Sequence, residues 1–428
     1  MSVLVERDHI GIFGRMNAGK SSLMNLLTQQ QTSIVDAAPG TTADTKIALQ
    51  EIHGMGPVKV FDTAGADEEG PLGDKKRQKV FADLKECDLV LIVVRPSSGD
   101  SWAPEKAILE RARDMEKQIL VIYNLFAPEE ADHIPRVEAA LPLLRFVKKT
   151  ALNAADPAAR LPLLDFILTH FDSKNRPQPL FPFLERDAFY LLVIPMDEET
   201  PPGRYLRPQA MAEEYITRHW AWPVSFRLDL VRARSAEARI REEERLRFLS
   251  VIDGLGRRPR AVITDSQAMD VLHRWCPSDI PLTTFSITMI QYGSRGRLAA
   301  FAAGLRTLES LQAGDRVLIA EACNHSRIAE DIGTVQIPKY LEKRCPGVRI
   351  EHSFGKAFSE QEDLTGFKLI IHCGGCMISP QKLGARLRDL ESLGIPFTNY
   401  GLVLSWLQGL EALRRVLAPW GVEPPAGL

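Results

Sequence analysis

Short apolar runs alternate with longer amphipathic stretches through residues 1–175. His9–Phe13, Val58–Phe61, Leu89–Val94 and Gln118–Tyr123 are of strand length. This alternation predicts an α/β sheet with crossover helices. Pro177, Pro179 and Pro182 then interrupt regular structure and read as a linker. Residues 183–262 offer one apolar run, Phe189–Ile194, followed by the turn-rich Pro201-Pro202-Gly203 and a charged helical segment over Arg232–Arg247. That is little for an independent core. It suits packing against a partner or a second copy, with a solvated helical spacer as the competing reading. From residue 263 to 428 the alternation returns. Ala261–Thr264, Arg316–Ala320, Lys368–Ile371 and Ile395–Thr398 are strand-like, and Gln381–Leu393 is helical. No internal repeat or low-complexity tract is evident in the pattern.

Composition narrows the class. A chain of 428 residues exceeds what one core usually supports, so two or three domains are expected. Apolar residues make up 45% and charged residues 25%, as in ordinary globular proteins, and the net charge of −2 gives no global attraction to nucleic acid or anionic lipid. Neither is expected as a partner. Leu89–Val94 is far short of the ~20 apolar residues that a membrane helix needs. Glu6, Arg7 and Asp8 precede the first motif and leave no room for a signal segment, so a cytoplasmic location is expected. Six cysteines are too few for a disulfide framework at this length. Cys87, Cys276 and Cys345 stand alone in sequence and read as small buried hydrophobes.

Gly14-Arg15-Met16-Asn17-Ala18-Gly19-Lys20-Ser21 lies between a strand-like run and the helix-like Ser22–Leu27. That context identifies a phosphate-binding loop. Its backbone N–H groups, through Asn17, Ala18, Gly19 and Ser22, cradle phosphates; Lys20 neutralises the β and γ phosphates; Ser21 is placed to hold Mg²⁺. Pro39-Gly40-Thr41-Thr42 falls where a first switch loop brings a Thr hydroxyl to Mg²⁺. Asp62-Thr63-Ala64-Gly65 supplies a Walker-B carboxylate and a γ-phosphate-sensing glycine. Taken singly Thr42 is an ordinary loop residue; the order of the set gives it a function. The set predicts a Ras-like P-loop GTPase domain over residues 1–175.

Two positions depart from a standard GTPase. The base-reading Asn-Lys-x-Asp is replaced by Asn124-Leu125-Phe126-Ala127, which keeps the Asn and lacks the carboxylate that pairs with guanine. Guanine preference is expected to be weaker, with Thr150-Ala151-Leu152 as the other base-loop candidate. Ala66 stands where Ras has its water-orienting Gln, so slow turnover is expected. Asn17 resembles the potassium-coordinating asparagine of the MnmE-like GTPases; a loop-stabilising polar residue is the plainer reading.

Cys323-Asn324-His325 and His372-Cys373-Gly374-Gly375-Cys376 each follow a strand-like run. Ligands of open α/β sheets collect beyond the strands' carboxyl ends, which makes the two segments possible neighbours. Cys373 and Cys376 can hold one metal centre, Gly374 and Gly375 permit the tight turn, and Cys323 adds a third thiolate. His325 lies on the same side as Cys323 in an extended segment and is a candidate fourth ligand. Three thiolates with an exchangeable fourth position favour a 4Fe-4S cluster, and a Cys3His zinc site has plausible spacing as well. His372 points to the opposite strand face and reads as a neighbouring or core group.

These residues resemble the iron-only (FeFe) hydrogenase maturation GTPases, the HydF family. The likeness runs through Gly14–Ser21, Asp62–Gly65, Ile194-Pro195-Met196-Asp197, Gly203-Arg204, Pro208-Gln209, Thr264-Asp265-Ser266-Gln267, Thr284-Phe285-Ser286-Ile287, Ala320–His325, Asp331-Ile332-Gly333, Ile371–Met377 and Asn399-Tyr400-Gly401. The resemblance implies a GTPase domain (1–175), a small α/β dimerisation domain (183–262) and a C-terminal α/β domain (263–428) binding a 4Fe-4S cluster. It implies a homodimeric scaffold or carrier of a transient diiron precursor, made with two radical-SAM maturases and delivered to apo FeFe-hydrogenase. GTP hydrolysis would then regulate partner association. Two other classes compete: a zinc-stabilised GTPase acting on ribosome or RNA, and a stand-alone iron–sulfur enzyme such as a dehydratase.

Overall fold

The computed structural model describes residues 7–29, 45–63, 71–99, 101–172, 179–195, 205–322, 332–355 and 364–428, with the backbone alone for 71–78. The chain divides into two compact units, Met1–Pro177 and Gln178–Leu428.

In the first unit the strands are β1 (Asp8–Phe13), β2 (Lys46–Ile52), β3 (Gly56–Asp62), β4 (Leu89–Val94), β5 (Gln118–Asn124) and β6 (Lys148–Leu152). They form a sheet in the order β2-β3-β1-β4-β5-β6, parallel except for the β2–β3 pair. The central strand β4 reads Leu-Val-Leu-Ile-Val-Val and is buried at every position. Its odd and even residues enter different cores. Leu89, Leu91 and Val93 meet Leu23 and Leu27 of the helix Lys20–Thr28 and Leu163 and Ile167 of Arg160–His170. Val90, Ile92 and Val94 meet Val80 and Leu84 of Pro71–Glu86 and Ile108 and Leu109 of Ala103–Asp114. Helices on both faces are what a continuous apolar strand requires, and each fully buried side chain contributes up to about 1.5–3 kcal/mol.

The second unit contains β7 (Phe189–Ile194), β8 (Trp222–Arg227), β9 (Ala261–Thr264), β10 (Leu282–Thr284), β11 (Arg316–Glu321), β12 (Arg349–Phe354), β13 (Phe367–His372) and β14 (Phe397–Asn399). They form two four-stranded parallel sheets, β10-β9-β7-β8 and β14-β13-β11-β12. Both sheets have one topology and one register. Leu191 of β7 pairs with Val224 and Val262, and Val262 pairs with Leu282; Leu318 of β11 pairs with Glu351 and Ile370, and Ile370 pairs with Phe397. Thr264 pairs with Thr284 as His372 pairs with Asn399. The second unit is therefore an internal repeat, contrary to the sequence expectation. Ile280-Pro281-Leu282-Thr283-Thr284-Phe285 against Ile395-Pro396-Phe397-Thr398-Asn399-Tyr400 is where the chain itself shows it.

One buried core runs through both sheets. The domain limit expected between residues 262 and 263 falls inside β9, and β9 and β10 complete the sheet begun by β7 and β8. The charged segment expected as one helix over Arg232–Arg247 is two, Leu230–Ala233 and Ala238–Gly254. Asp229 caps the first by accepting the Arg232 N–H. Arg241 then reaches back to the Ser235 and Ala236 carbonyls and closes the break between them. Among the described residues no helix is long and apolar enough to cross a membrane.

Candidate functional site

In the first unit the loop after β1 carries the phosphate-binding residues. Gly19 has φ +98°, and a Cβ there would stand 1.9 Å from Asn124 Nδ2, so only glycine fits the turn that opens the helix Lys20–Thr28. Ala18 is buried and its carbonyl accepts the Asn124 amide at 2.9 Å. Lys20 is buried, with Nζ on the Arg15 carbonyl at 2.8 Å, inside the loop it would share with phosphate. Ser21 Oγ donates to Asp62 Oδ2 at 2.6 Å, which brings a hydroxyl and a carboxylate together as a Mg²⁺ site requires. Ser22 is half-buried in the same first turn. Asn17 is exposed and left-handed, with φ +60°, a conformation asparagine tolerates better than most residues. Thr42 and Gly65 lie outside the described residues.

Arg15 ties this loop to the segment that follows β4. Arg15 donates to Glu105 at 2.7 and 2.8 Å, to the Ser98 carbonyl at 2.6 Å and to the Ser101 carbonyl, with its guanidinium 4.6 Å from the Trp102 ring. Glu105 is fully buried, so this pair is desolvated, and removing either partner strands a charge.

At the base-reading edge Asn124 is buried and bridges two loops, donating to Ala18 and accepting the Ala154 N–H at 2.9 Å. The touching loop therefore lies beyond Thr150-Ala151-Leu152, which form most of β6. Ala127 has no carboxylate, and Glu130 nearby is already engaged. Its Oε1 accepts from Arg95 and Ser97 and its Oε2 accepts the Phe126 N–H. Burial works to raise its pKa, but the Ser97, Arg95 and Phe126 hydrogen bonds outweigh it and hold the carboxyl below the usual range.

In the second unit β11 and β13 are neighbours, and the cysteine segments follow their carboxyl ends. Cys373 N–H donates to the Ala320 carbonyl at 2.9 Å. Its sulfur in turn receives the Ala322 N–H at 3.2 Å and the Gly375 N–H at 3.4 Å. Gly375 has φ +67°, which makes the turn to Cys376. Cys323 and His325 lie outside the described residues; Ala322 immediately precedes them. Burial pushes the Cys373 thiol up to about 11, partly offset by the Ala322 N–H, and burial also raises that of Cys376. Two N–H groups aimed at one sulfur, in a loop with a second thiol three residues on, fit a metal–thiolate centre. Among the described residues no three His, Cys, Asp or Glu side chains meet as a metal-holding group.

His372 is buried with both ring nitrogens engaged, Nδ1 on the Cys373 carbonyl at 2.8 Å and Nε2 facing Arg386 Nη1 at 3.1 Å. Burial, then the Arg386 charge, pull its pKa down to about 3. The ring is thus neutral, with Nδ1–H donating and Nε2 accepting. Arg386 also donates to the Gly355 carbonyl at 3.1 Å. On the other flank Arg207 donates to the Cys376 carbonyl. Neither carries a sequence signal of its own: Arg207 opens the helix Arg207–Arg218, and Arg386 lies midway along Pro380–Ser392. Cys87 and Cys276 are buried and Cys345 is half-buried.

Three family models match the chain: a 50S ribosome-binding GTPase model over residues 9–125, the hydrogen maturase F dimerization domain over 228–293, and the hydrogen maturase F tetramerization domain over 299–419. The chain belongs to the hydrogen maturase F family. As a member it joins a GTPase domain to a dimerization and a tetramerization domain. Curated GTPases match part of the chain. The tRNA modification GTPase MnmE of Hamiltonella defensa subsp. Acyrthosiphon pisum is 36% identical over 118 residues, 26% of this chain and 26% of that protein. MnmE of Moorella thermoacetica is 37% identical over 126 residues, 28% and 26% of the two chains. GTPase Der of Chlorobium luteolum is 29% identical over 171 residues, 39% and 38%. The chain spans about a quarter of the length of the MnmE proteins it matches. Among solved structures, Era in complex with MgGDPNP and a 16S ribosomal RNA segment aligns at 23% identity, over 42% of this chain and 60% of that one, with TM-score 0.34. The G domain of T. maritima FeoB aligns at 18% identity over 38% and 99%, with TM-score 0.28.

Proposed function

We propose that this chain is a cytoplasmic, homodimeric GTPase that serves as an iron–sulfur scaffold, carrying the diiron precursor of the H-cluster from two radical-SAM maturases to apo FeFe-hydrogenase. The observation that supports it most is the Cys373 sulfur held by the Ala322 and Gly375 N–H groups. That contact ties the end of β11, just before Cys323, to the Cys-Gly-Gly-Cys turn. Cys323, Cys373 and Cys376 would hold a 4Fe-4S cluster, with His325 as the exchangeable fourth ligand. When bound, such a cluster offers one iron position open to exchange with cargo.

The residues of the chain have separable tasks. Lys20 and the N–H groups from Asn17 to Ser22 bind phosphates; Ser21, Thr42 and Asp62 hold Mg²⁺; Gly65 senses the γ-phosphate. Asn17 would bring K⁺ to the developing charge, and with Ala66 in place of a water-orienting glutamine, hydrolysis is slow and potassium-stimulated. Asn124 fixes the base loop to the phosphate loop. In the metal loop Gly375 sets the turn, and His372 holds the Cys373 carbonyl through its neutral Nδ1–H.

Cys373→Ser in the full chain tests the assignment. Iron uptake should be lost, and GTP turnover should stay within about twofold of the parent, since the sites lie in different compact units. Retained iron would refute the ligand assignment; lost turnover would refute the separation of tasks.

A further inference from the structure

We propose that Arg207 is a positioning residue of the Cys-Gly-Gly-Cys loop, a fixed cation that the first repeat of the second unit lends to the second. The proposal rests on the iron–sulfur reading above. Because Thr264 and His372 occupy one register position in the two sheets, Asp265 takes the place of Cys373 and Ala268 that of Cys376. The first repeat thus presents no thiol at its own strand ends, yet those ends lie against the cysteine loop. Asn399 Nδ2 donates to Ser286 Oγ at 2.9 Å, and a Cβ on Gly374 would stand 3.4 Å from that oxygen.

The helix Arg207–Arg218 starts at this seam, with Pro208 in its first turn. Gln209 clamps the turn twice. Its Oε1 accepts the Leu206 N–H at 3.0 Å, and its Nε2 donates to Asp265 Oδ2 at 3.0 Å. Gln209 is buried, so the first turn is locked to the first repeat's loop, and Arg207 reaches from it to the Cys376 carbonyl. A guanidinium there does two things. It holds the turn that carries Cys376 in place before any metal arrives, which lowers the entropy lost on binding. It also sets a positive charge beside the loop that carries Cys373 and Cys376, where charge and hydrogen bonding tune reduction potential. A cation favours the reduced, more negative state.

The test is an EPR-monitored redox titration of the reconstituted full chain, with iron loss to a chelator followed in parallel, for the parent, Arg207→Gln and Arg207→Lys. Arg207→Gln should titrate at a more negative potential and lose iron several-fold faster; Arg207→Lys keeps the charge without the planar fork and should keep the parent potential while losing iron faster. Parent potential in an iron-loaded Arg207→Gln would overturn the proposal. Should Arg207→Gln take up no iron, Arg207→Lys decides: the parent potential supports a charge role, and a negative shift contradicts it. A parent chain that binds no iron would instead refute the iron–sulfur reading, and this proposal with it.

Discussion

At the residue scale both candidate sites rest on motif residues and on side chains that reach them from elsewhere in the chain. Gly19, Lys20, Ser21, Asp62 and the cysteines stand in spaced motifs. Arg207, Arg386 and Glu130 act through partners between 4 and 169 residues away, which spacing cannot show. Gly19→Ala should abolish tight nucleotide binding, since its Cβ would meet Asn124 Nδ2 and its φ of +98° is strained for alanine; a fluorescent-GDP titration should show at least ~100-fold weaker affinity. Ala127→Asp should restore a guanine-pairing carboxylate. The GTP-to-ITP affinity ratio should rise above the parent's by about tenfold or more, as a charge-assisted hydrogen bond predicts. An unchanged ratio would mean that other groups read the base. His9 offers a pH test. It is buried, its Nδ1–H donates to the Glu86 carbonyl, and burial, then Lys59, lower its pKa from 6.5 to about 4. The folded ring stays neutral while the unfolded one takes a proton below 6.5. The resulting stability is complete above that pH and is lost as pH falls to about 4, amounting to about 3 kcal/mol. His9→Gln should flatten that fall in the thermal transition that GDP and Mg²⁺ shift upward.

At the scale of elements, legibility followed burial. β4 and the interior of β5 are continuous apolar runs, and β1 and β3 each carry a buried apolar stretch, because helices cover both faces; periodicity finds such strands. β2 and β6 are sheet edges reading Lys-Ile-Ala-Leu-Gln-Glu-Ile and Lys-Lys-Thr-Ala-Leu, half-exposed and polar, so the pattern passed over them. The repeat in the second unit escaped for a related reason. Strand order and register are kept, while the connecting segments differ, so only the Ile-Pro-x-Thr stretches at β10 and β14 remain alike. The helix Pro380–Ser392 starts four residues after Cys376, and its cap Ser379 accepts the Lys382 N–H. Ser379→Ala should lower the melting temperature of the second unit by an amount equivalent to about 1 kcal/mol, with the transition of the nucleotide unit unmoved. A loss near zero would show that Pro380 and packing suffice.

At the scale of the whole molecule, two compact units join a nucleotide loop to a cysteine loop, each built at the carboxyl ends of parallel strands. That join was the most readable feature of the sequence, since each motif carries its own spacing. How the second unit holds its cysteine loop was not readable, because that depends on two sheets sharing one core. The direct test is anaerobic reconstitution of the full chain with iron and sulfide, beside a variant with Cys323, Cys373 and Cys376 all changed to Ser, recording metal content and the EPR spectrum after reduction. A brown parent with about four irons and a reduced-cluster signal, both lost in the variant, is the predicted result. A colourless parent holding a single zinc would contradict the account.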